Sequence, residues 1–307
     1  LSGDEPINKI GSSLPWVIPQ DGAMKPTQIL ERMEVDPESL FYHEHAARYE
    51  FARMHAQPGW LLDLGSGAGY GANQLCRNPG TRVIGADNHW PSLAGAQKSY
   101  ADRRISFVAS DGLRLPFDGG CFQSVITLET IEHIPDDAGL LREIVRVLKP
   151  DGICILSTPN RAYSAKHAID NPYHVREYFE AEFRELLEAY FGKVQFYYQG
   201  LADSFHNEVR DYAASIQARK KKTHPLTRLA INYFYRPIKQ LVPSDMTNFF
   251  IHRWLKLSYP HPRLMDITIS GEPLEDTNAF VVLCHHPRDW RDPILSARPA
   301  TGRTKSG

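Results

Sequence analysis

Between residues 60 and 158, short apolar runs alternate with longer mixed segments. The runs are "WLLDL" (60–64), "RVIGAD" (82–87), "ISFVAS" (105–110), "FQSVIT" (122–127) and "GICILST" (152–158). Such mostly continuous apolar runs fit strands covered on both faces better than half-exposed ones. Segments 70–77, 91–102 and 137–149 have helical character, and only the turn "DGLRLPFDGG" separates the third run from the fourth. Strands and helices in this alternation predict a parallel sheet sandwiched between helices. Further helices are expected at 38–56, where "ESLFYHEHAARYEFARMHA" spaces aromatic and apolar residues helically, and at 177–190. "KVQFYYQ" (193–199) and "NAFVVLCHH" (278–286) read as two more strands.

The resulting plan is a loose arm over 1–26, cap helices over 27–58 and a core over 59–200. A helical insertion then fills 201–270, the final strand of the core lies in 271–290, and a tail runs over 291–307. At 307 residues the chain can bury a large core unaided. Its 35 Lys and Arg balance 36 Asp and Glu, so no nucleic-acid partner is expected. Four widely spaced cysteines without a C-x-x-C pair point to a reducing, cytoplasmic setting and against a zinc site. No apolar run reaches the roughly 18 residues of a membrane span, and the first residues lack a secretory pattern. The 201–270 region departs from the average, with eleven Lys and Arg against five Asp and Glu. It includes "ARKKKTHP", "INYFYRPIK" and "NFFIHRWLKLSY". It reads either as a helical cap with its own aromatic core or as a lid meeting an anionic or lipid-carried substrate at a membrane surface. An interface for a homo-oligomer is a third use for such a surface.

The chemistry begins at "LLDLGSGAGYG" (61–71), where an acid precedes four glycines in seven positions. A nicotinamide loop needs Gly at the sixth position, which is Tyr70 here, and a phosphate loop needs a following Lys. What remains is Asp63, Gly65, Gly67 and Gly69. Bare glycines allow close backbone approach, and the acid suits a ligand carrying an ammonium group. Asp87 ends the second strand, where a carboxylate can grip both ribose hydroxyls. Asp111 and Gly112 follow the third, where a carboxylate can accept the exocyclic amine of adenine.

These residues resemble the motifs of class I S-adenosylmethionine-dependent methyltransferases, in the broad group related to ubiquinone and menaquinone biosynthetic enzymes. The likeness runs from Leu61 to Gln199. "LLDLGSGAGYG" is similar to the first motif and "VIGADNH" to the second. "VASDGLRLPFDGGCFQSVITLETIEHIPD" resembles the adenine loop, the fourth strand and the active-site segment. "LLREIVRVLKPDGICILSTPN" is similar to the helix, turn and fifth strand, and "NPYHVREYFEAEFRELLEAYFGKVQFY" resembles members from glycan, lipid and secondary-metabolite pathways. The resemblance implies an α/β, Rossmann-like seven-stranded sheet with the last strand antiparallel beside the fifth. It implies S-adenosylmethionine as cofactor, S-adenosylhomocysteine as product, and contacts at Asp63, Gly65, Gly67, Asp87, Asn88, Asp111, Gly112 and Thr127.

Methyl transfer from a sulfonium needs alignment of the nucleophile and, for a sugar hydroxyl, a base. "TLETIEHIPDD" supplies Glu129, Glu132 and His133; His133 is the candidate base because imidazole titrates near neutrality. The loop "STPNRAYSAKHAIDNPYHVREY" offers Asn160, Tyr173 and His174 for orienting substrate, with His174 a second catalytic candidate. On the N-terminal helix Tyr42, His45, Arg48 and Tyr49 share a face; if that helix covers the site, Arg48 meets the cofactor's carboxylate or the substrate, and an ordinary amphipathic helix is the other reading. The histidines, including "HEH" and "HH", make no coherent helix-borne site, so no metal is expected. The leading function is O-methylation of a sugar hydroxyl in a glycan or glycan-lipid precursor, in the cytoplasm or peripherally at a membrane. Methylation of a quinone or natural-product ring is the alternative, and a cofactor-binding module without turnover is another.

Overall fold

The computed structural model describes residues 40–100, 102–169, 171–202, 205 and 263–292 of the chain. The expected N-terminal arm, the first part of the cap, the basic and aromatic tracts of the insertion and nearly all of the tail lie outside them. The chain divides into two units, residues 1–200 with 267–307, and residues 201–266. In the described part of the second unit, Ala202 N–H donates to Asp266 O at 2.8 Å and Arg263 pairs with Asp266.

The first unit opens with helix α1 (Leu40–His55). Five parallel strands follow, β1 (Trp60–Leu64), β2 (Arg82–Asp87), β3 (Ile105–Ala109), β4 (Phe122–Leu128) and β5 (Leu148–Pro159). Between them lie α2 (Tyr70–Leu75), α3 (Trp90–Ser99) and α4 (Asp137–Val147). After β5 come α5 (Arg161–Lys166), α6 (Glu180–Glu188), β6 (Phe191–Leu201), β7 (Ile267–Ser270) and β8 (Ala279–Pro287). Side chains start three of the helices: His89 accepts from Ser92 N–H, Asp136 from Gly139 N–H and Asn160 from Ala162 N–H. Each satisfies an amide that the first turn leaves without an intrahelical partner.

The strands form one sheet in the order β3-β2-β1-β4-β5-β8-β6-β7. β8 runs antiparallel between β5 and β6, with Cys154 opposite Cys284 and Phe196 opposite Val282. The α/β fold with an antiparallel last strand beside the fifth is thus the expected one. The strand count is eight rather than seven. The extra strand is β7, "ITIS", inside the stretch expected to be helical insertion. Its apolar positions alternate correctly, but four half-buried residues at a sheet edge give too short a pattern to stand out.

Two cores flank the sheet. One gathers Leu62, Ile84, Val125, Cys154 and Phe280 with Leu141 and Ile144 of α4 and Phe183 and Leu187 of α6. The other gathers Leu61, Val83, Ile126, Ile155 and Val281 with Phe51 and Ala52 of α1 and Ala72 and Leu75 of α2. Consecutive residues Leu61 and Leu62 enter opposite cores, as the strand's period of two requires. Leu62 is wholly buried and pairs across to Ile84 and Val125. Leu62→Ala should therefore cost about 2–5 kcal/mol, read as a lower urea midpoint with an unchanged slope.

Candidate active site at the carboxyl edge of the sheet

β1 pairs with β2 on one side and β4 on the other, so chain order reverses between β1 and β4. Connections leaving the strand ends diverge there and open a crevice, where ligands of such sheets bind. The same period of two decides which side chains reach it. Asp63 shares a face with Leu61, Ser157 with Ile155 and Gln199 with Tyr197, which is the face that α1 covers. All three polar residues are fully buried.

Helix α1 answers them. Tyr49 donates its hydroxyl to Asp63 Oδ1 at 3.0 Å, while the buried Oδ2 has no hydrogen-bond partner. Burial pushes the Asp63 carboxyl up to about 7; the Tyr49 hydrogen bond opposes this, the charge of Asp87 adds to it, and the Ala72 backbone N–H opposes it weakly. Arg48, itself buried, donates from Nε to Gln199 Oε1 at 2.9 Å and has NH1 3.2 Å from Glu129 Oε1. NH1 is in ion-pair range but makes no aligned hydrogen bond. One turn earlier, Glu44 accepts from Asn278 at 2.6 Å, and burial raises its carboxyl pKa.

The glycines divide by what surrounds them. A Cβ on Gly65 would lie 2.4 Å from Thr130 Oγ1, and one on Gly71 would lie 2.0 Å from the Tyr49 ring. Those positions are closed by the protein's own packing. Gly67, at φ 49°, would carry a Cβ with no described atom within 4 Å. Its left-handed backbone and open flank are what a ligand-cradling glycine needs. Its N–H donates to Asp87 Oδ2 at 2.9 Å, and His89 N–H donates to Oδ1 at 2.8 Å. Asp87 therefore sits at the loop's mouth in a fixed orientation.

The other expected positions scatter along the same edge. Asn88 and Asp111 are exposed, and Asp111 Oδ1 accepts from Leu113 N–H at 2.9 Å. Gly112 stands next to it, with its missing Cβ 3.2 Å from Leu140. Thr127 is buried, and its hydroxyl has no hydrogen-bond partner. Asn160 caps α5 with its oxygen and donates its amide to Thr277 O at 2.9 Å, lining a separate cleft with Tyr163 and Asp276.

His133 ends a short 3-10 turn, Ile131–His133. Its Nδ1 lies 3.0 Å from Tyr173 O. A carbonyl only accepts, so Nδ1 carries the proton and the lone pair of the neutral ring is on Nε2. The His174 ring meets it edge-on at 5.0 Å between centroids. His174 Nδ1 is 2.7 Å from Glu177 Oε1, and Nε2 is 2.9 Å from the Asn171 amide nitrogen. Val175 and Arg176 N–H both donate to Glu132 O, pinning this loop to the turn. Glu132 is buried, accepts from Thr158 on one oxygen and has no partner on the other. Glu132, His133 and His174 bring ligand-type atoms within 4.8 Å of one another, a grouping that could take a metal ion. Histidine tallies along the sequence passed over it because His174 joins only through folding. Ser157, Gln199, Asn278, Asn171 and Glu177 also escaped notice. The readable signal was a polar residue closing an apolar strand, as in "ILST" and "FYYQ".

Residues 62–156 match a family model described as a methyltransferase domain. Over this segment the chain is similar to a methyltransferase domain. A Mycolicibacterium smegmatis protein named a probable S-adenosylmethionine-dependent methyltransferase is 32% identical over 153 residues, 49% of this chain and 58% of that one. The sterol 24-C-methyltransferase of Schizosaccharomyces pombe is 33% identical over 125 residues, 39% of this chain and 32% of that one. Among solved structures, phosphoethanolamine N-methyltransferase 2 of Haemonchus contortus is 17% identical with a TM-score of 0.47, covering 87% of this chain and 61% of that one. The chain spans a little over half the length of the mycobacterial relatives it matches. No described helix is long and apolar enough to cross a membrane.

The raised Asp63 pKa fixes a pH dependence. The folded protein keeps a proton that the unfolded chain releases between about pH 4 and 7, so this group's contribution to stability falls as pH rises through that window. Asp63→Asn should remove that slope. Urea unfolding at pH 4.5 and 7.5 should show the variant gaining on wild type at the higher pH.

Proposed function

We propose that the chain transfers a methyl group from S-adenosylmethionine to a hydroxyl oxygen of a polar acceptor, a sugar of a glycan or glycan-lipid precursor. The observation that carries the cofactor assignment is buried Asp63, whose Oδ2 makes no aligned hydrogen bond, at the end of the strand that leads into the Gly67 loop with its open flank. A buried acid with only a poorly aligned contact on one oxygen fits an ammonium group, which would supply a good hydrogen bond and a charge. Asp87, held at the loop's mouth, suits a ribose diol; Asp111 and Gly112 suit adenine, with Asn88 and Thr127 alongside. When bound, the cofactor supplies an activated methyl group open to in-line displacement.

The acceptor side is assigned to Glu129, which the buried Arg48 and Ser157 hold and which Arg48 links to Gln199. These groups already pair with one another, and their polarity suits a hydroxyl-bearing acceptor better than the hydrocarbon side chain of a lipid. A sugar hydroxyl must lose its proton during transfer, and Nε2 of His133 is assigned that proton. The Tyr173 carbonyl sets the tautomer that makes this role available. His174, engaged by Glu177 and Asn171, holds the loop. The basic, aromatic 201–270 region is assigned to meeting a membrane-borne acceptor. A quinone or natural-product phenol would use the same groups with less need of a base.

Methyl-labelled S-adenosylmethionine incubated with the protein and a cell extract, later split into lipid and aqueous fractions, tests this reading. Label in the lipid fraction is expected; label only in small aqueous molecules favours the natural-product or free-sugar reading. His133→Ala should lower transfer at least about 100-fold, within the range for a lost acid–base group, while cofactor affinity stays within about twofold. Equal loss of both would remove the base assignment.

A further inference from the structure

Glu129 follows β4 directly, and its backbone lies at φ 50°. That left-handed conformation is uncommon for a residue with a side chain and clusters at functional sites. One residue of the neighbouring strand, Ser157, holds it there twice. Its N–H donates to Ser157 O at 3.1 Å, and Ser157 Oγ donates to Glu129 Oε1 at 2.9 Å. Arg48 NH1 sits 3.2 Å from the same Oε1. Both contacts fall on Oε1, the one from Arg48 as an ion pair without an aligned hydrogen bond, and none of the described hydrogen bonds falls on Oε2. The side chain keeps 18% of its surface exposed, whereas Arg48 keeps only 3%.

The next residue ties this carboxylate to the glycine loop. Thr130 closes over Gly65 so tightly that no side chain fits there, and Thr130 Oγ1 donates to Leu128 O at 3.1 Å. Glu129 therefore stands one residue from the loop assigned to the methyl donor, at the end of the strand beside β1. Strain, a doubly held oxygen and this location converge on a ligand-facing role.

We propose that Glu129 is the acceptor-orienting residue: Oε2 accepts the hydrogen bond of the reacting hydroxyl and turns its oxygen toward the methyl donor. This rests on the hydroxyl-acceptor reading above. No bond is made or broken at Glu129, and the proton leaves to His133. Arg48 acts through Glu129 as a positioning residue, and Ser157 sets the rotation of the carboxylate.

The test uses the labelled cofactor with whichever extract fraction accepts label from wild type. Glu129→Gln keeps length, shape and an oxygen for Ser157. Its transfer rate should fall at least about 50-fold, with the cofactor dissociation constant within about twofold and the unfolding midpoint close to wild type. Ser157→Ala, which frees the carboxylate to rotate, should lower transfer about 5- to 20-fold without changing cofactor affinity. Transfer by Glu129→Gln within threefold of an active wild type overturns the proposal, as does a matching loss of cofactor affinity. Should Glu129→Gln not fold, Ser157→Ala decides, and wild-type transfer by it overturns the proposal. A wild-type protein that binds no cofactor sinks the methyltransferase reading itself, which is a separate result.

Discussion

Arg48 is a charged group removed almost entirely from water, and the carboxyl edge of the sheet is organised around that fact. Burying a guanidinium costs several kcal/mol unless charge and hydrogen bonds are returned to it. Here they come from Glu129 after β4 and Gln199 in β6, two elements far apart in sequence. The helix carrying Arg48 can dock in this one register only, because a shift would strand the charge. Docking in turn delivers Tyr49, one residue on, to the buried acid of β1, with its ring against Gly71. The acid, the glycine loop and the post-β4 turn are therefore coupled through a single helix.

Much of this was readable in the chain because it depends on local pattern. Continuous apolar runs separated by helical segments name the parallel strands, and Asp63, Gly67 and Asp87 follow from strand ends. What stayed hidden depends on packing between distant segments. The glycines look equivalent in sequence, yet Gly65 and Gly71 make room for Thr130 and Tyr49 while a Cβ on Gly67 would meet no described atom within 4 Å. His133 was visible as a candidate, but its tautomer is set by the Tyr173 carbonyl, 40 residues later. β7 was missed because four residues at an edge carry too little burial to outweigh the helical reading of their surroundings.

The family match sharpens this division. It spans 62–156 and takes in the glycine loop, Asp87, Asp111 and the turn at 129–133. Arg48, Tyr49, Tyr173, His174 and Gln199 all lie outside it. The glycine loop and the acids at the strand ends come from the matched segment, and the buried polar groups that hold the turn after β4 come largely from flanking segments.

One strand shows how these two sets of groups meet. Ser157 and Thr158 are consecutive in β5, so their side chains leave opposite faces of the sheet. Ser157 donates to Glu129 on the α1 face, and Thr158 donates to Glu132 on the other. Both carboxylates belong to one turn that wraps over the strand's end. A slip of β5 by one residue would exchange the two hydroxyls and release both acids together. The turn bearing Glu129, Glu132 and His133 is thus gripped from both faces by the alternation of a single strand. Its rigidity needs no rigid loop of its own.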